Sequence, residues 1–276
     1  MGIENKLNNT IESFDKYKKN LHNIALKIVI NISKSRENNK KYKESVINEI
    51  FFNKLTTIGQ KLSPQDIFFR DLFYGFDEIY TSFERLKDLE VYISRFPNIK
   101  TPIAKIDYLC FLIENYLYGT YILKERLNKY SEKIRKLYIE DIRYVSISKK
   151  CDQLISTVEG NLINIISLRG KVTHISHYLD KDINRLKSMI LHMGFFDDKL
   201  QKYLPDDYII PNFDNEYRKL RKKWKKTFKD NNKQIKILLN IYFKTILKIV
   251  FNNNSEISYP EKRNSIENRK KYFSKG

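Results

Sequence analysis

Apolar residues recur at three-and-four spacing along four long segments of the 276-residue chain. No other feature limits the fold as strongly, because that period gathers them on one face of an α-helix and scatters them over both faces of a strand. In the first segment, residues 11–33, the stripe is Ile11, Phe14, Tyr17 or Lys18, Leu21, Ile24 or Ala25, and Ile28. "KSRENNKK" joins it to a shorter helix near 43–58, which predicts an amino-terminal helical hairpin.

The next two segments announce their own starts. In "SPQD", Ser63 is placed to cap and Pro64 to occupy the first turn, opening a helix over 67–96 that turns Phe69, Leu72, Phe73, Phe76, Ile79 or Tyr80, and Phe83 inward and ends at Pro97. Thr101 and Pro102 repeat the signal for a helix over 103–137 with Ile106, Leu109, Cys110, Ile113, Leu117, Tyr121 and Leu127 inward. On that helix Asp107, Glu114, Tyr118 and Glu125 form one polar stripe, either a solvated face or one that brings Glu114 and Tyr118 to a shared site. A fourth helix is predicted over 154–177 and another over 180–193. Residues 194–217 read as a connection, and a basic helix runs from near Phe213 to Phe251. The tail from Asn252 shows no sustained period and is expected to be mobile.

Gly 8 and Pro 6 are too few for the turns of a many-stranded sandwich, while 41% hydrophobic residues suffice for a core. The expected fold is all-α: a bundle of long antiparallel helices with an added N-terminal helical hairpin and a C-terminal basic helix. The expected segments are 1–62, 63–195 and 196–276. Cys110 and Cys151 form no CxxC pair and are expected as buried thiols. The first residues lack an apolar export segment, and Lys6 stands where a myristoylation signal has Ser or Thr, so a cytoplasmic location is expected. The most apolar run, Ile235 to Phe251, carries Lys236, Asn240, Lys244 and Lys248 at four-residue steps. These predict an amphipathic helix with one polar side and no membrane span.

A net charge of +19 asks for a polyanionic partner unless a lysine-biased coding sequence explains it. Its distribution favours a partner: Gln201–Gly276 holds 19 Lys and Arg against 8 Asp and Glu, so +11 lies in the last 76 residues. In "EYRKLRKKWKKTFKD", Tyr217, Leu220, Trp224 and Phe228 supply an apolar stripe. Arg218, Lys219, Arg221, Lys222, Lys223, Lys225 and Lys226 are expected to project outward as a sequence-blind RNA-binding face. An acidic protein or an anionic lipid surface remains an alternative partner for the same cations.

"SLRGKVTHISHYLD" holds Arg169 and His174 with four residues between them, near the end of a long helix. With two long amphipathic helices before it, this R-x4-6-H pattern resembles the HEPN superfamily of ribonucleases over about residues 66–195. One departure is Gly170, where the family commonly has a polar residue. The resemblance implies a homodimer that cuts RNA in a composite cleft without metal or other cofactor. It also implies toxin or antiviral-defence duty, with a cognate antitoxin or regulatory protein as a possible partner. The residue types suit that chemistry. Histidine exchanges protons near neutrality, and arginine stays charged and grips two phosphate oxygens as the phosphorane forms.

Five residues put Arg169 and His174 about 140° apart on a straight helix. Convergence then needs either a bend at Gly170 or a second copy, and the resemblance implies the second. His177, Thr173, Glu114 and Tyr118 are the supporting candidates. A metal reading of His174, His177 and Asp180, with His192, lacks a ligand set at a recognised spacing. The competing functional class is a HEPN-like nucleic-acid-binding or protein-interaction module without catalysis.

Overall fold

The computed structural model describes residues 2–34, 40–52, 62–95, 97–174, 181–195 and 206–261; side chains are described over 13–34, 44–45, 47–51, 62–95, 97–165, 181–190 and 213–261. The fold is all-α. The helices are α1 (Gly2–Lys34), α2 (Lys40–Phe52), α3 (Pro64–Ser94), α4 (Pro102–Leu137), α5 (Tyr144–His174), α6 (Lys181–Phe195) and α7 (Asp206–Val250). Among the described residues there is no strand, only an isolated antiparallel bridge between Phe251 and Ile257.

The predicted caps form. The Asp66 amide donates to Ser63 Oγ at 3.1 Å, Ser63 Oγ donates to the Asp66 carboxylate at 2.6 Å, and the Ala104 amide donates to Thr101 Oγ1 at 3.3 Å. Each hydroxyl satisfies an amide that the first turn leaves without a carbonyl, and the proline that follows gives up a donor the helix does not need there.

The chain divides into two compact units that interleave along its length. The first is Met1–Tyr80, Glu125–Glu159 and Lys236–Gly276, and the second is Thr81–Lys124 and Gly160–Ile235. The first unit is cored by aromatic rings from four helices. Phe14 and Tyr17 of α1 meet Phe76 of α3 and Phe243 of α7 with ring centroids 4.8–5.6 Å apart. The Tyr17 hydroxyl is hydrogen-bonded to that of Tyr130 on α4. Ser131 Oγ and the Tyr242 hydroxyl share a bond of 2.7 Å, so these polar tips are partnered inside the core.

Several expectations fail in this unit, each for an identifiable reason. Lys236, Lys244 and Lys248 are exposed as predicted, but Asn240 in the same row is fully buried. Its Oδ1 accepts the Phe14 amide at 3.0 Å, so α1 covers the row at this one position. Helix α5 starts at Tyr144, ten residues before the predicted start. Its stripe of Ile147, Cys151, Leu154 and Val158 is buried, while Val145 in the first turn is 72% exposed and hides the pattern.

The tail from Asn252 was expected to be mobile, yet 252–261 folds back. Asn252 Oδ1 accepts the amides of Asn254 and Glu256, Ser255 takes a positive φ of 61°, and Ile257 is buried. The Tyr138 hydroxyl donates to the Ser258 carbonyl at 2.7 Å. Asp141 anchors the end of this segment. Its carboxylate is wholly buried and accepts the Arg143 amide, Nε and guanidinium NH2 at 2.6–2.9 Å and the Glu261 amide at 3.1 Å. Burial alone raises the Asp141 carboxyl, but the Arg143 and Glu261 donors outweigh it and hold the group below its usual range.

This packing can be tested at two positions. A Cβ on Gly75 meets the Tyr130 ring at 2.3 Å. Gly75→Ala therefore lowers unfolding stability by about 1–3 kcal/mol, although helix propensity alone favours alanine by about 1 kcal/mol. A stabilised variant in urea unfolding would show that the ring yields. Asp141→Asn weakens the charged hydrogen bonds and costs about 1–3 kcal/mol at neutral pH. Because the folded-state pKa is depressed, the Asp141 contribution is complete above the ordinary carboxylate pKa of about 3.9 and fades as pH falls through the lower folded value. The gap between parent and variant stability thus closes on acidification.

Candidate nucleic-acid interface

The candidate residues belong to the second unit, and α7 supplies most of them. Tyr217, Leu220, Trp224 and Phe228 are all buried, as their 3, 4, 4 spacing predicts. Phe228 stacks on Tyr116 of α4 with centroids 3.9 Å apart and planes 12° apart. One turn on, Asn232 accepts the Tyr116 hydroxyl at 2.8 Å and donates to the Leu86 carbonyl and to Glu90, both on α3, at 3.2 and 2.8 Å. Lys105 near the start of α4 pairs with Asp214 at 2.8 Å. These contacts fix the helix about its own axis.

Seven cations were expected to project outward, and the structure separates them. Arg221 is half-buried: its Nε and NH2 donate to the Ile93 and Ser94 carbonyls at 3.0 and 2.9 Å, satisfying acceptors that the end of α3 leaves open. That removes it from the outward set. Its position four residues after Tyr217 and three before Trp224 carries the reason, since both steps stay on the buried face. Lys219 pairs with Glu216 at 2.9 Å, and Lys223 with Asp182 of α6 at 2.8 Å. The Lys223 hydrogen bond holds the Asp182 carboxyl below its usual range. Arg185 of α6 pairs with Glu216, and Leu186 and Leu220 line the cavity of about 240 Å³ beside these pairs.

Arg218, Lys222, Lys225 and Lys226 are exposed and pair with no carboxylate among the described residues. At about 100° per residue they share one arc of about 100°, bordered on one side by the paired Lys219 and Lys223. Lys229 and Lys233, absent from the predicted set, are exposed in the same arc. The signal for them was present: the spacing that defines the free face continues past Phe228.

Helix α5 is unbroken through Arg169, Gly170, Thr173 and His174, and the described glycines include none with a positive φ. The bend allowed for at Gly170 does not interrupt it. The side chains of Arg169, Thr173 and His174 lie outside the described residues, as do His177, Asp180 and the side chain of His192. Among the described residues no three His, Cys, Asp or Glu side chains cluster as metal ligands.

The residues of the polar stripe on α4 differ in their surroundings. Tyr118 is 52% exposed and lines a cleft against α3, whereas Glu114, half-buried, is not among that cleft's lining. Glu114 instead faces the region of Cys110, whose thiol is half-buried rather than buried. Burial pushes that thiol up, Lys187 of α6 opposes the rise, and Glu114 and Asp107 add to it. Among the described residues no helix is long and apolar enough to cross a membrane. No family model, curated protein or solved structure matches the chain.

The division of α7 into anchoring and free cations is testable. Arg221→Ala opens two carbonyls at the end of α3 and lowers stability by about 1.5–3 kcal/mol, while Lys222→Ala changes it by no more than about 0.5 kcal/mol. Urea unfolding of the two variants side by side decides this, and equal effects would remove the distinction.

Proposed function

We propose that the protein is a metal-independent endoribonuclease of HEPN type that acts as a homodimer in the cytoplasm. In this reading His174 exchanges protons, Arg169 stabilises the phosphorane, and the free face of α7 holds single-stranded RNA. The observation that carries the reading is that the last turns of α5 and the unpaired cations of α7 belong to one compact unit. A helix bearing an Arg and a His five residues apart is commonplace; one that shares a unit with six unopposed cations has a use for a phosphodiester.

The chemistry needs no metal. The RNA 2′-hydroxyl attacks the adjacent phosphorus, the bond to the 5′-oxygen breaks, and a 2′,3′-cyclic phosphate and a 5′-hydroxyl result. One proton leaves the nucleophile and one reaches the leaving oxygen, both transfers within the range of an imidazole. The guanidinium meets the charge that builds on the non-bridging oxygens. Continuity of α5 through Gly170 bears on the dimer. Positions 169 and 174 are about 140° apart around an unbroken helix and about 7.5 Å apart along it. On a straight helix one subunit would not offer both groups to one linkage, and in this reading a second copy completes the set. Toxin or antiviral-defence duty, with an antitoxin or regulatory partner, accords with the same resemblance.

The second reading is an RNA-binding module without catalysis. Gly170 favours it, since it supplies no polar group beside the arginine and leaves the helix unbroken.

Purified protein incubated with mixed-sequence RNA in excess EDTA is expected to cut it. Arg169→Ala and His174→Ala each lose about 100-fold or more in rate while keeping RNA affinity. Variants that cut as well as the parent would overturn the site, and binding without cleavage in the parent would establish the module. Affinity for single-stranded RNA should fall with salt at a log–log slope on the order of −4 if six cations meet phosphates. Replacing Lys222, Lys226 and Lys229 by alanine reduces that slope by about 2. A slope that stays unchanged moves the RNA away from α7.

A further inference from the structure

The second unit also contains a cleft that the proposed cleavage chemistry does not use. It lies between α3 and α4, has a volume of about 310 Å³ and falls at the small end of ligand pockets. Gly119 accounts for its floor. There the α4 backbone comes so close to α3 that a Cβ would meet Leu86 Cδ2 at 2.9 Å. Two aromatic rings line the same cleft, Tyr92 of α3 and Tyr118 of α4, which are 51% and 52% exposed. Two half-exposed rings from different helices on one small cleft make an apolar, flat-sided opening, the form that stacks on a planar ligand.

The polar groups narrow the ligand further. Asp88 is exposed in the lining and pairs with no cation among the described residues. Asn115 donates one Nδ2 hydrogen to the Phe111 carbonyl at 2.7 Å, which leaves its Oδ1 acceptor and one N–H for a ligand. The exposed carboxylate, whose two oxygens only accept, asks for a pair of donors. Arg85, one turn before Asp88 and equally unpaired, adds a cation in the same lining.

We infer that this cleft is a nucleobase pocket that takes guanine against Tyr92 and Tyr118, with Asp88 on the base's donor edge and Arg85 near its phosphate. Among the four bases only guanine presents two adjacent donors, N1–H and the N2 amino group, in register with the two oxygens of a carboxylate. Adenine and cytosine set one amino group beside a ring-nitrogen acceptor, and uracil flanks its single N–H with two carbonyls, so each opposes the carboxylate with a lone pair. The inference rests on the RNA-binding reading for the source of the base. It adds to that reading a sequence preference that phosphate contacts on α7 cannot supply.

The test uses the full chain and 2′-O-methyl strands, which lack the nucleophile and cannot be cut. Fluorescence anisotropy compares a labelled oligo-uridine strand with the same strand carrying one central guanosine. The guanosine strand is expected to bind at least about fivefold tighter, from one well-made base contact. Asp88→Asn erases that preference and leaves oligo-uridine affinity unchanged. Tyr92→Ala weakens the guanosine strand about tenfold, whereas Tyr92→Phe, which keeps the ring, restores it. Circular dichroism of each variant separates lost folding from lost stacking.

Equal binding of both strands by the parent, or a preference that survives Asp88→Asn, overturns the pocket while the RNA reading stands on oligo-uridine binding. If neither strand binds, the RNA reading fails, and calorimetric titration with GMP against UMP decides the pocket alone. GMP binding that Asp88→Asn abolishes supports it, and no GMP binding overturns it.

Discussion

The structure depends on one amphipathic helix. From Phe213 onward α7, 45 residues long, keeps an apolar stripe that supplies core to each unit: Tyr217, Leu220, Trp224 and Phe228 in one, and Leu239, Tyr242, Phe243 and Ile246 in the other. Each such side chain contributes about 1.5–3 kcal/mol when fully buried. That is far more than any surface ion pair provides, at about 0–1 kcal/mol. The stripe therefore sets the rotation of the helix, and the rotation decides which of its cations meet carboxylates, which meet carbonyls and which meet only water.

Apolar burial is tolerant of rotation and sliding, and the buried polar groups are not. Asn232 and Asn240 stand on the packed side of α7, where Asn232 bonds through both its oxygen and its nitrogen to groups at fixed positions and Asn240 through its oxygen. Asn232 reaches Tyr116, Leu86 and Glu90, so α7, α4 and α3 meet at one set of angles. Asn240 takes the Phe14 amide from α1. Sliding α7 by one turn leaves these groups buried without partners, at about 1–3 kcal/mol apiece. Polar insertions that weaken the apolar pattern of the sequence thus select its register.

How much was legible in the residues follows the same line. Period and caps are local, so the all-α class, the starts of α3 and α4, and the buried face of α7 could be read directly. What escaped depends on partners distant in sequence. Arg221 looks like one more cation in a basic run until the end of α3 is brought beside it. Asn240 looks like a member of a solvated row until α1 covers it. Residues 252–261 have no period because they are held by a turn and by a buried carboxylate rather than by an apolar stripe; the remainder of the tail lies outside the described residues. The start of α7 at Asp206 was hidden by Pro211, the sixth residue of the helix, where proline gives up the bond to the carbonyl four residues before it. Of the candidate site, the motif helix and the free cations were legible; Arg169 and His174 themselves were legible only as residue types on one helix.

The free face of α7 also bears on why the chain is so basic. Lysines placed by coding bias alone would be met or left unmet without regard to direction. On α7 direction matters: Lys219 and Lys223, on the edge toward α6, have Glu216 and Asp182, while Arg218, Lys222, Lys225, Lys226, Lys229 and Lys233 occupy the neighbouring arc with no carboxylate on it. Like charges at four-residue steps, such as Lys222 with Lys226 and Lys225 with Lys229, each destabilise a helix by about 0.2–0.5 kcal/mol. A polyanion reverses the sign of that repulsion, since every phosphate neutralised also releases a condensed counterion. Supporting carboxylates on this arc would relieve the strain in the free protein and forfeit the gain on binding. On the proposed reading, the scarcity of carboxylates on this arc, with Asp230 beside it the exposed exception, keeps these cations for phosphate.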